Sequence, residues 1–144
     1  MKDKMIISKR AVQTAVAVAC AVFGLAGPAS ASTAGANACT SGNSCASISG
    51  LTGHAAANNN GADCAYKNLC LYTGTNYTGT RYDLYSCKTY YLLKWYGNGS
   101  YVNNETANAV ANYYDENGGY LHSDVPGMKS GQMDYSPVWS VRNC

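Results

Sequence analysis

Phenylalanine, histidine and charge are all scarce in this 144-residue sequence, which holds one Phe, two His and only 12% Asp, Glu, Lys and Arg. The histidine shortage removes most catalytic options. His54 lies in a stretch of small polar residues. His122 adjoins Ser123 and Asp124, but neighbours along a strand point to opposite faces, whereas a triad needs three groups converging in space. Asp115 and Glu116 sit beside Asn117-Gly118-Gly119 as turn residues do, not as facing acid and base across a cleft. The Cys64 and Cys70 spacing is not that of a zinc knuckle, and no second Cys or His pair completes one. Calcium wants carboxylate oxygens, and neither WYGNG before Ser100 nor YSPVW before Ser140 offers an acidic pair. No catalytic residue, metal ligand or cofactor is assigned.

A membrane-spanning run is missing too. The longest apolar stretch, Ala11 to Leu25, contains Gln13 and Thr14 and falls short of the roughly 20 apolar residues a spanning helix needs. It follows Lys2, Lys4, Lys9 and Arg10 and precedes GPASAS. A basic start, an apolar middle and small residues at Ala29 and Ala31 read as a secretory signal peptide over 1–31, leaving no membrane anchor once cut. This leader holds four of the ten basic residues and one of the eight acids, so six and seven remain. The positive excess belongs to the leader, and nucleic-acid binding through a basic surface loses its support.

Cysteine, by contrast, is plentiful. Once Cys20 leaves with the leader, Cys39, Cys45, Cys64, Cys70, Cys87 and Cys144 remain. An even number in a short exported chain implies a disulfide framework, although six cysteines admit fifteen pairings. The remaining chain of about 113 residues makes one domain. Its composition shifts near Asp63. Residues 32–63 are Ala, Ser, Gly, Asn and Thr without an aromatic, and beyond Ile48 and Leu51 they have nothing large to bury. They are expected to form a mobile extension, with a local Cys39–Cys45 loop, because burial cannot offset their ordering entropy.

All thirteen tyrosines fall between Tyr66 and Tyr135. Tyr and Thr favour strands while Gly and Asn mark turns. LCLY, TRYDLY, SYVNN, AVANYY, GYLHS and VWSVRN read as short strands of an all-β sandwich or barrel, with room for one helical turn over 89–94. Tyrosine must do some of the core work that Phe does elsewhere. The domain also repeats itself. Tyr72, Gly79 and Ser100 are echoed by Tyr113, Gly119 and Ser140, with both the glycines and the serines 40 residues apart. The glycine permits the positive φ of a folded-over hairpin, the aromatic packs across the corner, and the serine hydroxyl bonds the turn. Two such Greek-key units of four strands would form a two-sheet wedge.

These features resemble the βγ-crystallin fold. More narrowly, CAYKNLCLYTGTNYTGTR resembles the opening of the streptomycete metalloproteinase inhibitor family: two cysteines, Cys64 and Cys70, then Tyr72, the Thr73-Gly74-Thr75 turn and Gly79-Thr80-Arg81. The resemblance covers residues 64–144. It implies a secreted, extracellular, monomeric, non-enzymatic inhibitor of thermolysin-like metalloproteases, with Cys64, Cys70, Cys87 and Cys144 pairing among themselves. A rigid substrate-like loop would enter the cleft of an extracellular protease, fill a pocket with an apolar side chain and turn a carbonyl to the enzyme's zinc. The family's reactive segment is bracketed by cysteines in the second half, whereas here no cysteine lies between Cys87 and Cys144. The corresponding stretch is DENGGYLHSD, 115–124, where Gly119, Tyr120, Leu121 and His122 are the expected inhibitory loop; the alternative is that NGG only makes a hairpin turn and YLH begins the returning strand. The competing expectation is a cell-wall or carbohydrate-binding module, or a killer-toxin-like protein of the same fold, using exposed tyrosines.

Overall fold

The structure, a computed structural model, describes residues 43–144. The expected leader and the Cys39 half of a Cys39–Cys45 loop lie outside the described residues, although Cys45 itself is disulfide-bonded. Among the described residues ten strands follow one another: β1 (Ser47–Ile48), β2 (His54–Ala55), β3 (Asn68–Tyr72), β4 (Thr80–Leu84), β5 (Thr89–Leu93), β6 (Asn98–Asn104), β7 (Ala111–Tyr114), β8 (Tyr120–Asp124), β9 (Lys129–Asp134) and β10 (Ser140–Asn143). The helical turn expected over 89–94 is strand β5, whose alternating buried Tyr90 and Leu92 suit a half-buried sheet.

The strands form two antiparallel sheets, ordered β1-β5-β10-β7-β8 and β2-β4-β3-β6-β9. Each four-strand unit keeps its first, second and fourth strands together and sends its third to the opposite sheet. β5 thus leaves the first unit to pair with β10, and β9 leaves the second to pair with β6. This is Greek-key order with the third strand folded over, and it interlocks the halves, because neither sheet is complete without a strand from the other.

Tyrosine fills the space between the sheets. Tyr90, Tyr113 and Tyr135 are almost fully buried, together with Leu69, Leu71, Leu84 and Val141. Each such side chain contributes roughly 1.5–3 kcal/mol by leaving water. A buried phenol also needs a partner for its hydroxyl. Tyr82 donates to the Ala46 carbonyl at 2.9 Å, Tyr101 to Asp124 Oδ1 at 2.8 Å and Tyr135 to the Ser100 carbonyl at 3.2 Å. The Tyr101 bond ties β6 to β8 across the two sheets, which phenylalanine could not do.

Disulfides close Cys64–Cys70 and Cys87–Cys144, so these four cysteines pair among themselves. In the first unit Ser100 Oγ donates to the Gly74 carbonyl at 2.7 Å and accepts the Tyr77 amide at 2.8 Å. Gly79 has φ +80°, and Tyr72 meets Tyr77 edge-on. The second unit differs in detail. The positive φ falls on Gly118, at +79°, not on Gly119. The residue opposite Ser140 is Tyr114, matching the Tyr72 and Ser100 pair, while Tyr113 points into the core.

The described part of the expected extension, 43–63, is not loose. β1 adds to β5 and β2 adds to β4. Ile48 is 2% exposed, and Asn43 donates to the Asn98 carbonyl. Asp63 forms a 2.9 Å ion pair with Arg81 and accepts the Tyr72 hydroxyl at 2.8 Å. Composition underrated the segment because backbone ladders and one ion pair hold it, with only a little apolar burial.

Candidate functional site

The segment 115–124 is a hairpin whose geometry follows from local chemistry. Asp115 Oδ1 accepts the amides of Asn117 at 2.8 Å and Gly119 at 2.7 Å, an aspartate holding its own turn. The Asp115 amide donates to the Gly119 carbonyl at 2.9 Å, closing the hairpin. Gly118 supplies the positive φ. At Gly119 a Cβ would lie 2.7 Å from Asp115 Oδ2, so the close carboxylate demands glycine there. Asp-Glu-Asn-Gly-Gly is thus a turn organised by the Asp115 carboxylate and backbone.

Tyr120, Leu121 and His122 lie on β8, so the expected inhibitory segment is the returning strand that GYLHS reads as and not a free loop. It is an unusual strand. Tyr114 pairs with Tyr120, but Tyr113 pairs with His122, leaving Leu121 as the extra residue of a β-bulge. Alternation breaks there, and Tyr120 and Leu121 are consecutively exposed at 61% and 36%. Tyr120 packs edge-on against Tyr114 and its hydroxyl donates to Ser123 Oγ at 3.1 Å. β8 is also the last strand of its sheet, so among the described residues its outer backbone edge has no strand neighbour.

His122 turns the other way. Its ring stacks on Tyr113 with centroids 4.3 Å apart, and Nε2 lies 3.9 Å from Asp124 Oδ2. His122 and Ser123 therefore have different neighbours and do not converge. Asp124 is 3% exposed and anchors the strand's far end by accepting Tyr101. Burial and this bond to a carboxylate push the Tyr101 phenol well above its ordinary pKa, so it stays a donor. Among the described residues no group of three or more His, Cys, Asp or Glu side chains converges as a metal site.

Strand pairing assembles a surface that spacing along the chain does not reveal. Tyr91, Ser140, Tyr114 and Tyr120 are successive partners across β5, β10, β7 and β8, and cross-strand partners share a face. Tyr91 is 59% exposed, and Trp139, just before Ser140, is 51% exposed. The sequence pattern placed none of Tyr91, Trp139 or Tyr96 in a site. The only local signal was the repeat itself, which puts Ser140 opposite an aromatic.

The sequence model of peptidase inhibitor family I36 matches residues 55–122. That span runs from β2 through the first unit and ends within β8, at the face of the hairpin just described. No curated protein and no solved structure matches the chain.

Proposed function

We propose that this chain, whose residues 55–122 match the model of peptidase inhibitor family I36, is a protease inhibitor and not an enzyme, and that it blocks an extracellular, thermolysin-like metalloprotease with the β7–β8 hairpin. The carrying observation is the bulge that turns two consecutive apolar side chains, Tyr120 and Leu121, to solvent on an edge strand. A strand edge is already extended, and its free amides and carbonyls can pair with a strand of the enzyme. One of the two side chains enters an apolar pocket, and the backbone carbonyl between them faces the enzyme's metal.

Rigidity makes this an inhibitor and not a substrate. β8 is hydrogen-bonded to β7, the turn is closed through Asp115, and the far end is held by Asp124. Binding a preorganised segment avoids the ordering cost of about 0.5–1.5 kcal/mol per immobilised side chain, plus that of the backbone, that a flexible peptide bears. Export to the extracellular space and action as a monomer complete the proposal.

The test is inhibition of thermolysin by the wild type, Tyr120→Ala and Leu121→Asp, with thermal melts as the folding control. The wild type is expected to inhibit, and Leu121→Asp to weaken inhibition at least tenfold with an unchanged melt. If both variants inhibit like the wild type, the contact lies elsewhere. A second function, binding of cell-wall or other polysaccharide, is favoured by the outward tyrosine row. Retention on insoluble polysaccharide by a protein that fails to inhibit would select it.

A further inference from the structure

On the sheet that carries the hairpin, Trp139 stands between two hollows. One, of about 300 Å³, is apolar and lined by Leu93, Tyr96 and Val138, with Lys94 at its rim. The other, of about 340 Å³, is bounded by Asp115, Glu116, Asn117 and Pro137. Ser136 and Trp139 belong to both. The indole is half-exposed, yet its backbone is held on both sides: the Trp139 amide donates to the Tyr114 carbonyl at 2.8 Å, and its carbonyl accepts the Leu92 amide at 2.9 Å. An exposed aromatic on so rigid a base is a preorganised anchor.

The other sheet shows what such a face looks like when covered. There Tyr72, the counterpart of Tyr114, is fully buried beside the Cys64–Cys70 bridge and Ala56, under residues 54–64 of the same chain. Among the described residues Tyr114 has no such cover: it is half-buried, with Tyr120 packed edge-on against it. The charge of the surface around it says what suits it. A cationic Lys94 end, an apolar centre at Trp139 and an acidic end at Asp115 and Glu116 complement an acid–apolar–base pattern. A protein surface offers that pattern; a neutral polysaccharide does not.

We infer that the groove on either side of Trp139 is a second contact for the inhibited protease, receiving an apolar side chain flanked by a basic group at Glu116 and an acidic group at Lys94. This rests on the inhibitory role of the hairpin, with which the groove is continuous through Asp115. The contact at Tyr120 and Leu121 would enter the cleft while the Trp139 groove holds its rim, so that two modest contacts act as one interface.

The experiment measures inhibition constants against thermolysin for the wild type, Trp139→Ala, Glu116→Lys and Leu121→Asp, at about 0.05 M and 0.5 M salt. Trp139→Ala is expected to weaken inhibition at least tenfold at both salts. Glu116→Lys is expected to weaken it about fivefold or more at low salt and much less at high salt, as a rim charge should. If the wild type does not inhibit, the hairpin role and the groove fall together. If the wild type inhibits, Leu121→Asp does not, and both groove variants stay within twofold, the groove alone is overturned. Should Trp139→Ala inhibit normally but lose retention on insoluble polysaccharide, the groove serves a glycan and the inference is wrong. Glu116 is an exposed turn residue, so its variant decides the matter if Trp139→Ala fails to fold.

Discussion

Removing the Cys87–Cys144 bridge isolates one term in the stability of this domain. The cysteines are 57 residues apart in sequence, and Cys87 is exposed while Cys144 is half-buried. Replacing both with serine therefore leaves little cavity, and the main effect falls on the unfolded chain. Loop-closure entropy for that separation corresponds to about 4 kcal/mol at 25 °C. A domain of this size has roughly 5–15 kcal/mol in all, so the double variant Cys87→Ser/Cys144→Ser should sit near the threshold of folding. Its melting temperature should drop by roughly 15–30 °C, taking 4–8 °C per kcal/mol. The bridge joins the start of β5 to the end of β10, and β10 is the central strand against which β7 packs. Hydrogen exchange at β10 and β7 should accelerate before that at β3 and β6. Urea denaturation of the oxidised wild type and the double variant measures the loss, with a larger m-value expected as the unbridged chain expands. A loss below about 1 kcal/mol would refute the entropic account.

Two further perturbations probe the features that shape the domain. Burial works to raise the Asp63 pKa, but the Ala57 amide, the Tyr72 hydroxyl and Arg81 outweigh it and hold the carboxyl below its ordinary 3.8. A depressed carboxyl contributes stability above its unfolded pKa and loses it as pH falls through the folded value. Asp63→Asn should therefore cost about 1–3 kcal/mol at neutral pH, with the difference from wild type fading below about pH 4. Urea curves at pH 7 and pH 3 check this, and an equal cost at both would sink it. Gly118→Ala should cost about 1 kcal/mol, since φ is positive but the space is open; Gly79→Ala should cost more, because its Cβ would meet Thr73 Oγ1 as well. Thermal melts rank the two, and the reverse order would contradict the assignment of both turns.

The parts of this molecule that were legible in sequence are those whose causes are local. Strand-favouring residues in LCLY and TRYDLY, set between turn residues, foretold β3 and β4, and a serine 40 residues before its twin foretold the turn that Ser100 holds. The turn chemistry of Asp115 to Gly119 was readable for the same reason, since an aspartate reaches its own hairpin amides. Misplaced features depend on partners far along the chain. Residues 43–63 looked unable to order because their composition lacks bulk, yet Ser47 pairs with Leu93 and Asp63 with Arg81. The positive φ fell on Gly118 and the aromatic corner on Tyr114 because the second hairpin is shorter than the first, so equivalence set by counting slips by one residue while equivalence set by pairing does not.

The candidate site divides along the same line. Tyr120 and Leu121 are neighbours in any strand, and strict alternation would have hidden one of them in the core. They are presented together because β7 and β8 pair with Leu121 left over, a property of two strands and not of one. Trp139 is more distant still from local inspection. It matters because β10 lies between β5 and β7, which carries its ring to the acidic turn of a hairpin more than twenty residues earlier in the chain. If the hairpin and the Trp139 groove act as one interface, disturbing the register of β10 should weaken inhibition even when the residues from Asp115 to Asp124 keep their own fold. The contact surface is a product of strand order, and strand order follows from the exchange of third strands between the two halves.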